Sequence, residues 1–404
     1  MKARRLCSLA LASLALACGG GSDELNDVPA VDAGADGQGW ESDANLQDGA
    51  VQDASQFEAS DQDGSIDDAT AGDAPLSPDA GGGANCPKSV AKPKAFTGVN
   101  ASPDFLQVYV NNVENLETPA DQCKGDWKDL YYYMKLQPSP DLFLVQQISG
   151  KAQLDLLVKY MTDNLPGVFE GIIAEASPKK MNSPCGPAKD YQTNAIIYRP
   201  ARLKPMGNKA TWQVQSFYSG SCKTNFQSRT ITVMQKFRDT IANRDVSVAS
   251  MHWATFQGTG ADPACAEHNV AQLSKKLESA GFGGDLMIWG GDANESDRNS
   301  SNGYKDWYRA ANGDLGGKLG FRDAIFAHCE ATSGPIKACL DDNKTGKARI
   351  DYLFAKRGDG CLPMITRPHT ISFEEADQAA QKFAGGDSAY NYSDHRAIRA
   401  AVHY

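Results

Sequence analysis

The chain has 404 residues, of which 41% are hydrophobic and 22% are charged. This composition excludes a wholly disordered chain, a fibrous repeat protein and a polytopic membrane protein, because each of those classes departs strongly from such proportions. The net charge of −10 is unevenly spread: residues 1–18 carry +3 and residues 19–85 carry −16, which leaves +3 for residues 86–404. The main part of the chain is therefore mildly basic and compatible with an anionic substrate.

The amino terminus has the pattern of an export signal. Lys2, Arg4 and Arg5 precede the apolar segment 6–17, which is too short to cross a bilayer as a stable helix. This segment leads into Cys18 and three glycines, which resembles the bacterial lipobox, where the cysteine is lipidated. We therefore predict a lipoprotein-type signal peptide over 1–18 and export to the cell envelope, with a lipid anchor at Cys18 on the outer membrane or cell surface. The alternative is an ordinary signal peptidase site, and the protein leaves the cytoplasm in either case.

Residues 19–85 form an acidic, low-complexity segment. They contain 13 Asp and 3 Glu with no Lys or Arg, and are otherwise rich in Ala, Gly and Ser. Few large apolar residues are available to bury, and the like charges repel one another. We predict an extended, disordered tether; calcium binding is the alternative, but no spacing in the segment matches a calcium loop.

From residue 86 onward, short β-rich runs alternate with turn-rich stretches and with a few helical patterns. Many strands with helices between some of them predict two sheets packed face to face with helices outside, in the α/β (α+β) class. The predicted strands are 105–110, 142–145, 195–198, 212–217, 230–234, 246–251, 286–289, 350–354 and 397–402, and the predicted helices are 151–162 and 264–280.

The cysteines agree with an exported domain. An even number in such a chain predicts up to four disulfides, whose connectivity the sequence leaves open. Cys329 and Cys339 flank a Gly-Pro turn and are the best candidate pair, whereas no Cys-x-x-Cys spacing supports a zinc site. The eight cysteines beyond the signal peptide are Cys86, Cys123, Cys185, Cys222, Cys265, Cys329, Cys339 and Cys361.

Several predicted strands end in polar clusters, which is the usual way to gather a polar site on one rim of a sheet. In chain order these clusters are Asn111-Asn112-Val113, Gln146-Gln147, Ser250-Met251-His252, Gly291-Asp292-Ala293-Asn294, Ile350-Asp351-Tyr352 and Ser393-Asp394-His395.

Over residues 98–404, the order of these motifs resembles the endonuclease/exonuclease/phosphatase superfamily, whose fold is deoxyribonuclease-I-like. The resemblance implies a four-layer, two-sheet β-sandwich flanked by helices. It also implies hydrolysis of phosphoester bonds with Mg²⁺, Mn²⁺ or Ca²⁺. A phosphodiester is anionic and repels hydroxide, so a cation that neutralises its oxygens and donors that stabilise the transition state are both needed.

The resemblance assigns catalytic roles residue by residue. Asp292 matches the residue that orients and deprotonates the attacking water, and Asn294 matches the amide that bonds the phosphate. His395 matches a phosphate donor and possible acid or base, and Asp351 matches the carboxylate that fixes its tautomer. His252 matches a second phosphate donor, with a satisfied core histidine as the alternative.

The implied metal residues are Asn112, Gln147 and Asp394, and Tyr191 matches a phosphate-contacting tyrosine found in one branch of the family. Gln147 departs from the family pattern, which has a metal-binding Glu at this position. The lost charge should weaken Mg²⁺ binding. Glu114, two residues after Asn112 and on the same strand face, is an alternative source of a carboxylate.

These observations predict an exported, metal-dependent phosphodiester hydrolase, most specifically a monomeric extracytoplasmic nuclease. A phospholipase C or sphingomyelinase is an alternative that requires an exposed apolar loop, and no long one is evident. An inositol-phosphate phosphatase is a further alternative, as is a surface binding module impaired by Gln147. Arg229 and Lys236 are interpreted as solvated side chains in preference to phosphate ligands.

Overall fold

The signal peptide and the acidic tether lie outside the residues that the structure describes, as do Glu114, Cys123, Cys185 and Asp394. The computed structural model of the chain describes residues 86–87, 89–90, 97–113, 127–181 (side chains from 130), 190–255, 257–258, 264–299, 303–346, 348–372, 375, 393 and 395–404.

These residues form strands and helices that alternate irregularly along the chain. The strands are β1 (Phe105–Asn112), β2 (Leu142–Ile148), β3 (Glu170–Ile173), β4 (Thr193–Tyr198), β5 (Leu203–Gln213), β6 (Gln215–Tyr218), β7 (Ser221–Thr224), β8 (Ile231–Asp239), β9 (Arg244–His252), β10 (Leu286–Asp292), β11 (Arg322–Asp323), β12 (Asp351–Arg357), β13 (Ile365–Thr370) and β14 (Ile398–His403). The helices are α1 (Trp127–Lys135), α2 (Lys151–Asn164), α3 (Cys265–Leu277), α4 (Asp306–Ala311), α5 (Ala324–Glu330) and α6 (Ile336–Asp342).

Two six-stranded sheets organise the domain. The first has the order β13-β14-β1-β2-β4-β3, and the second has the order β11-β12-β10-β9-β8-β5. Each sheet contains one parallel pair, β1 with β2 and β9 with β10, among antiparallel neighbours. The two-sheet α/β architecture predicted from the sequence is therefore confirmed, and strands β6 and β7 form a separate hairpin.

The two sheets pack against each other through the alternating side chains of their strands. Val108 and Val110 of β1 lie in the core between the sheets, whereas Tyr109 faces the other way and packs in a cluster with Leu154 and Leu157 of α2. On the far side of the second sheet, α3 and α5 cover β9 and β12. The order of layers is therefore helices, sheet, sheet, helices.

The structure differs from the sequence prediction at several elements. The single strand predicted over 212–217 is wrong, because Val214 turns into the core and separates β5 from β6. The sequence analysis also missed β3, β7, β11 and β13 and the helices α1, α4, α5 and α6. Most of these elements are too short for a periodic pattern to stand out.

Disulfides tie distant parts of the domain together. The predicted pair Cys329–Cys339 is confirmed and joins α5 to α6. Two further disulfides, Cys86–Cys361 and Cys222–Cys265, link the start of the described domain to the segment after β12, and β7 to α3. Within the described residues, no helix combines the length and the apolar character needed to cross a membrane.

A buried ionic network lies at the end of β2 opposite Gln147. Asp141, just before β2, is fully buried between Arg199 and Arg202. Arg202 also lies 2.7 Å from a carboxylate oxygen of Asp239, which accepts a hydrogen bond of 2.6 Å from the hydroxyl of Tyr404. The network joins both sheets, because β2 belongs to the first and β8, which ends at Asp239, belongs to the second.

Candidate functional site

Two glycines allow β10 to bring Asp292 into the site. A Cβ on Gly291 would lie 1.8 Å from the carbonyl oxygen of Met251, and one on Gly290 would lie 2.6 Å from Val110 in the opposite sheet. Only glycine permits this approach, and Gly291 also has a positive φ of 145°. The parallel register of β9 and β10 then pairs Asp292 with His252.

Asp292 is the centre of the group of polar side chains. Its Oδ2 accepts a hydrogen bond of 3.0 Å from the amide of Asn112, and its Oδ1 accepts one of 2.7 Å from the backbone N–H of Asn294. The Nε2 atoms of His252 and His395 lie 3.5 and 3.8 Å from Oδ2. The structure thus brings together five of the predicted site residues from β1, β9, β10 and the segments that follow β10 and precede β14.

The surroundings of Asp292 raise the pKa of its carboxyl group. Burial raises the pKa of Asp292, and the nearby charge of Asp351 raises it further, whereas His395 and His252 act in the opposite direction. A carboxylate with a raised pKa is a better proton acceptor than a solvated one at neutral pH. This is the property expected of a residue that takes a proton from water.

His395 is held by its neighbours in one orientation. Its Nδ1 lies 2.8 Å from Oδ2 of Asp351, so this nitrogen carries the proton and Nε2 faces Asp292. The Oγ of Ser393 accepts from the backbone N–H of His395 and donates to the carbonyl of Asn112. The side chain of Asn111 donates to the carbonyl of His395 at 3.0 Å. The dyad predicted for His395 and Asp351 is therefore present in the geometry.

His252 is neutral and serves as a hydrogen-bond acceptor. The amide nitrogen of Asn294 donates to the carbonyl of Trp253 at 2.9 Å, which fixes the orientation of the amide, and lies 2.9 Å from Nε2 of His252. Burial lowers the pKa of His252 to about 4, and the positive charge of Arg229 contributes in the same direction. The phosphate contacts of Asn294 and His252 stay predictions, because their facing nitrogens bond each other here.

Gln147 occupies a distorted position at the end of β2. The register between β2 and β4 shifts between Val145 and Ile148, which marks a β-bulge. Gln147 has a φ of 61°, a backbone region that residues other than glycine rarely adopt. It is 7% exposed. Its neighbour Gln146 donates to the hydroxyl of Ser250 at 2.9 Å.

The donor set fits a divalent cation. Ligand atoms of Asp292, Asp351 and His395 lie within 4.8 Å of one another, and Oδ1 of Asp351 is buried without a hydrogen-bond partner among the described residues. Two close carboxylates repel, and a hard cation that prefers oxygen ligands relieves this repulsion. Asn112 lies beside Asp292 as predicted for a metal residue, whereas Asp394 lies outside the described residues.

Tyr191 lies at the same end of the first sheet as Gln147. It precedes β4, whose first residue Thr193 pairs with Ile148 at the end of β2. Its side chain is 43% exposed, and its backbone forms a bridge with Lys180. The phosphate contact predicted for Tyr191 stays a prediction.

Arg229 is closer to the centre than its sequence context indicates. It is half-buried, and its guanidinium donates a hydrogen bond of 2.9 Å to the side chain of Gln227. Its positive charge interacts with the charge of Asp292 and lowers the pKa of His252. Arg229 is therefore partly solvated, as interpreted from the sequence, and its charge also reaches Asp292 and His252. Its position in the sequence could have indicated this, because Arg229 lies just before β8, and β8 is antiparallel to the strand that ends in His252. Lys236, in contrast, binds Asp245 and is occupied there.

Several solved structures are similar to this one. One is the endonuclease/exonuclease/phosphatase from Bacteroides vulgatus, at 12% identity over 74% of this chain and 98% of that chain with a TM-score of 0.47. Another is the human Nocturnin catalytic domain with bound sulfate, at 14% identity over 74% and 94% with a TM-score of 0.46. A third is D. rerio TDP2 complexed with single strand DNA product, at 16% identity over 74% and 99% with a TM-score of 0.45.

At these identities the likeness concerns the fold and does not extend to a substrate. No protein-family model matches the sequence, and no curated protein matches it. The chemistry of the site therefore has to be argued from its own residues.

Proposed function

We propose that the chain is a metal-dependent hydrolase of phosphoester bonds, and most specifically a phosphodiesterase that acts on nucleic acid. The observation that carries this proposal is the buried group formed by Asp292, Asp351 and His395, whose ligand atoms lie within 4.8 Å of one another. Asn112 bonds this group directly, at the carboxyl ends of β1 and β10.

Each residue of this group has a different role in the proposed hydrolysis. Asp292, whose pKa is raised by burial, accepts the proton of the attacking water. His395, held through Nδ1 by Asp351, keeps Nε2 directed at the same place, where it can donate to a phosphate oxygen or to the leaving group. Asp292 and Asp351 would hold a divalent cation, which would neutralise the charge of the phosphate.

Nucleic acid is favoured as the substrate by charge. Residues 86–404 carry a net +3, and the half-buried Arg229 adds a cation beside the proposed catalytic group. A polyanionic substrate is attracted by such a field. Extracellular nucleic acid is also an abundant phosphodiester outside cells, where the predicted signal peptide would direct the protein.

One observation supports a phospholipid substrate as the second candidate. Phe226 is 73% exposed and Tyr218 is 60% exposed, and both belong to the β6–β7 hairpin or the segment directly after it. Exposed aromatic side chains of this kind suit contact with a membrane surface. The sequence does not reveal these exposed aromatic side chains, because neither residue belongs to a long apolar run.

A substrate panel tests the proposed function. The full chain is assayed on plasmid DNA, RNA, sphingomyelin and bis-nitrophenyl phosphate, each with Mg²⁺, Mn²⁺, Ca²⁺ or EDTA. We expect cleavage of bis-nitrophenyl phosphate and of a nucleic acid with a divalent cation and none with EDTA. Cleavage of sphingomyelin alone would establish the second candidate, and inactivity on every substrate would establish a binding module.

We further propose that the protein is exported and anchored through a lipid on Cys18. Wild type is then expected to partition into the detergent phase and to carry acyl mass, and Cys18→Ser to be released or misprocessed. An aqueous wild-type protein without acyl mass would contradict the anchor.

Restoring a carboxylate at the distorted end of β2 should strengthen the metal site. We expect Gln147→Glu to tighten Mg²⁺ binding and to raise the cleavage rate, because a hard cation prefers an anionic oxygen. Calorimetric titration with Mg²⁺ and rate measurements on both proteins check this. Gln146→Glu is the matched control, because Gln146 donates to the hydroxyl of Ser250 and a carboxylate there should give no gain. Unchanged affinity in Gln147→Glu would place Gln147 away from the metal.

Removing the positive charge of Arg229 should reduce the stabilisation of the transition state. We expect Arg229→Gln to lower kcat/KM by about 10- to 100-fold, the range typical of a lost charged hydrogen bond. Lys236→Gln is the control, since Lys236 binds Asp245 instead. Equal activity in the two variants would show that Arg229 does not contact the substrate.

A further inference from the structure

A cavity of about 740 Å³ opens on the outer face of the first sheet, between the end of α1 and strands β13 and β14. The side chains of β14 show which face this is. Ala397 packs in the helix-covered cluster and Ile398 packs between the sheets, so Arg399 points outward. Arg399 pairs in register with His369 of β13, and both line the cavity together with Arg367.

The backbone of β13 is distorted so that Arg367 faces this cavity. The register against β14 shifts between Thr366 and His369, which marks a β-bulge in an edge strand. Arg367 has a φ of 52°, in the left-handed region that an arginine rarely adopts. Backbone strain of this kind persists where the surrounding structure imposes it, and it is concentrated at ligand sites.

Among the described lining residues, Arg367 and Arg399 carry guanidinium groups. Burial lowers the pKa of Arg367, and the positive charge of Arg399 lowers it further, which shows that the two groups repel each other. Arg399 donates to Gln137 and lies 5.9 Å from the ring of Tyr133, and its buried Nε has no hydrogen-bond partner among the described residues. His369 is already bonded to Glu375 at 3.0 Å.

The rest of the lining consists of three apolar residues and the polar residue Thr97. Leu136 and Pro138 form one wall and Pro368 forms part of the other. The volume is several times that of a bare phosphate ion, so the cavity has room for an organic group beside an anionic one.

We propose that this cavity binds a small organic phosphate. Its anionic group lies between Arg367 and Arg399, and its organic part lies against Leu136, Pro138 and Pro368. Guanidinium groups match phosphate oxygens in geometry and charge. None of the residues of the proposed catalytic group lines this cavity, so the site is separate from the hydrolytic one and does not depend on its activity.

Calorimetric titration of the full chain with phenylphosphonate in EDTA tests the site, because this probe resists hydrolysis. We expect one binding event in wild type, weaker binding of methylphosphonate, and a loss of affinity of about 10- to 100-fold in Arg367→Gln. Arg367→Gly removes the guanidinium and the backbone strain together and should give the same loss with undiminished thermal stability.

The controls separate this site from the catalytic one and from simple attraction of charge. His395→Ala and the exposed Arg309→Gln should bind phenylphosphonate as wild type does. Wild-type affinity in both Arg367 variants, or loss of binding in His395→Ala, would overturn the proposal. Binding to phosphatidic acid vesicles that depends on Arg367, without binding of phenylphosphonate, would equally overturn it in favour of a lipid surface.

Discussion

Replacing His395 by alanine is expected to lower phosphodiester cleavage by about 10²–10⁴-fold, the usual effect of removing a positioned acid, base or transition-state donor. Asp292→Asn should have an effect of similar size, because the amide cannot accept the proton of water. Both side chains are buried, but in Asp292→Asn the relief of repulsion with Asp351 offsets the hydrogen bond that is lost, so the melting temperature should change little. Steady-state rates on bis-nitrophenyl phosphate, with thermal unfolding beside them, measure the two effects separately.

The matched control is His268→Ala, which removes an exposed imidazole from α3 outside the motifs. It should retain wild-type activity. Full activity in His395→Ala or Asp292→Asn would rule out the proposed site even if the fold is intact. A parallel loss of activity and of stability would assign the two residues a structural role instead.

Replacing Asp141 by alanine should cause the largest loss of stability among single changes considered. Asp141 is fully buried between Arg199 and Arg202, so its removal takes away the carboxylate that pairs with Arg199 and leaves Arg202 with Asp239 alone. Breaking a buried ion pair in this way costs about 3–5 kcal/mol in free energy of unfolding. Denaturant unfolding of wild type and Asp141→Ala measures this loss.

The control for this change is Asp155→Ala, which breaks the exposed pair between Lys151 and Asp155 on α2. Exposed pairs of this type contribute about 0–1 kcal/mol. Because the network lies at the end of β2 away from Gln147, the folded Asp141→Ala protein should still cleave substrate at low temperature. Equal unfolding free energies for the two variants would show that the network contributes little net stability.

Much of the architecture was predictable from local sequence. Strands such as β1 and β10 are fully buried and mostly apolar, because they lie in the middle of sheets that are covered on both faces. The polar residues at the ends of these strands could be grouped into one site from their motifs alone. The disulfide Cys329–Cys339 was equally accessible, since the two cysteines flank a single turn.

Other features depend on contacts between residues far apart in the chain. The raised pKa of Asp292 follows first from its burial and then from the charge of Asp351, 59 positions later in the sequence. The neutral state of His252 requires burial and the hydrogen bond from Asn294. No periodic pattern reports such environments, because periodicity records which face of an element is buried and not what it is buried against.

The sequence by itself therefore determined the two-sheet architecture, the predicted export signal and the residue types of the hydrolytic site. The tertiary structure decided the surroundings of these residues. It brings the charges of Arg229 and Asp292 close enough to interact, and it gives Gln147 a left-handed backbone conformation in a β-bulge. It also brings Arg367 and Arg399 to one cavity. The physical reason is that charge interactions and backbone strain depend on distances across the fold, whereas strand formation follows from the local alternation of apolar residues.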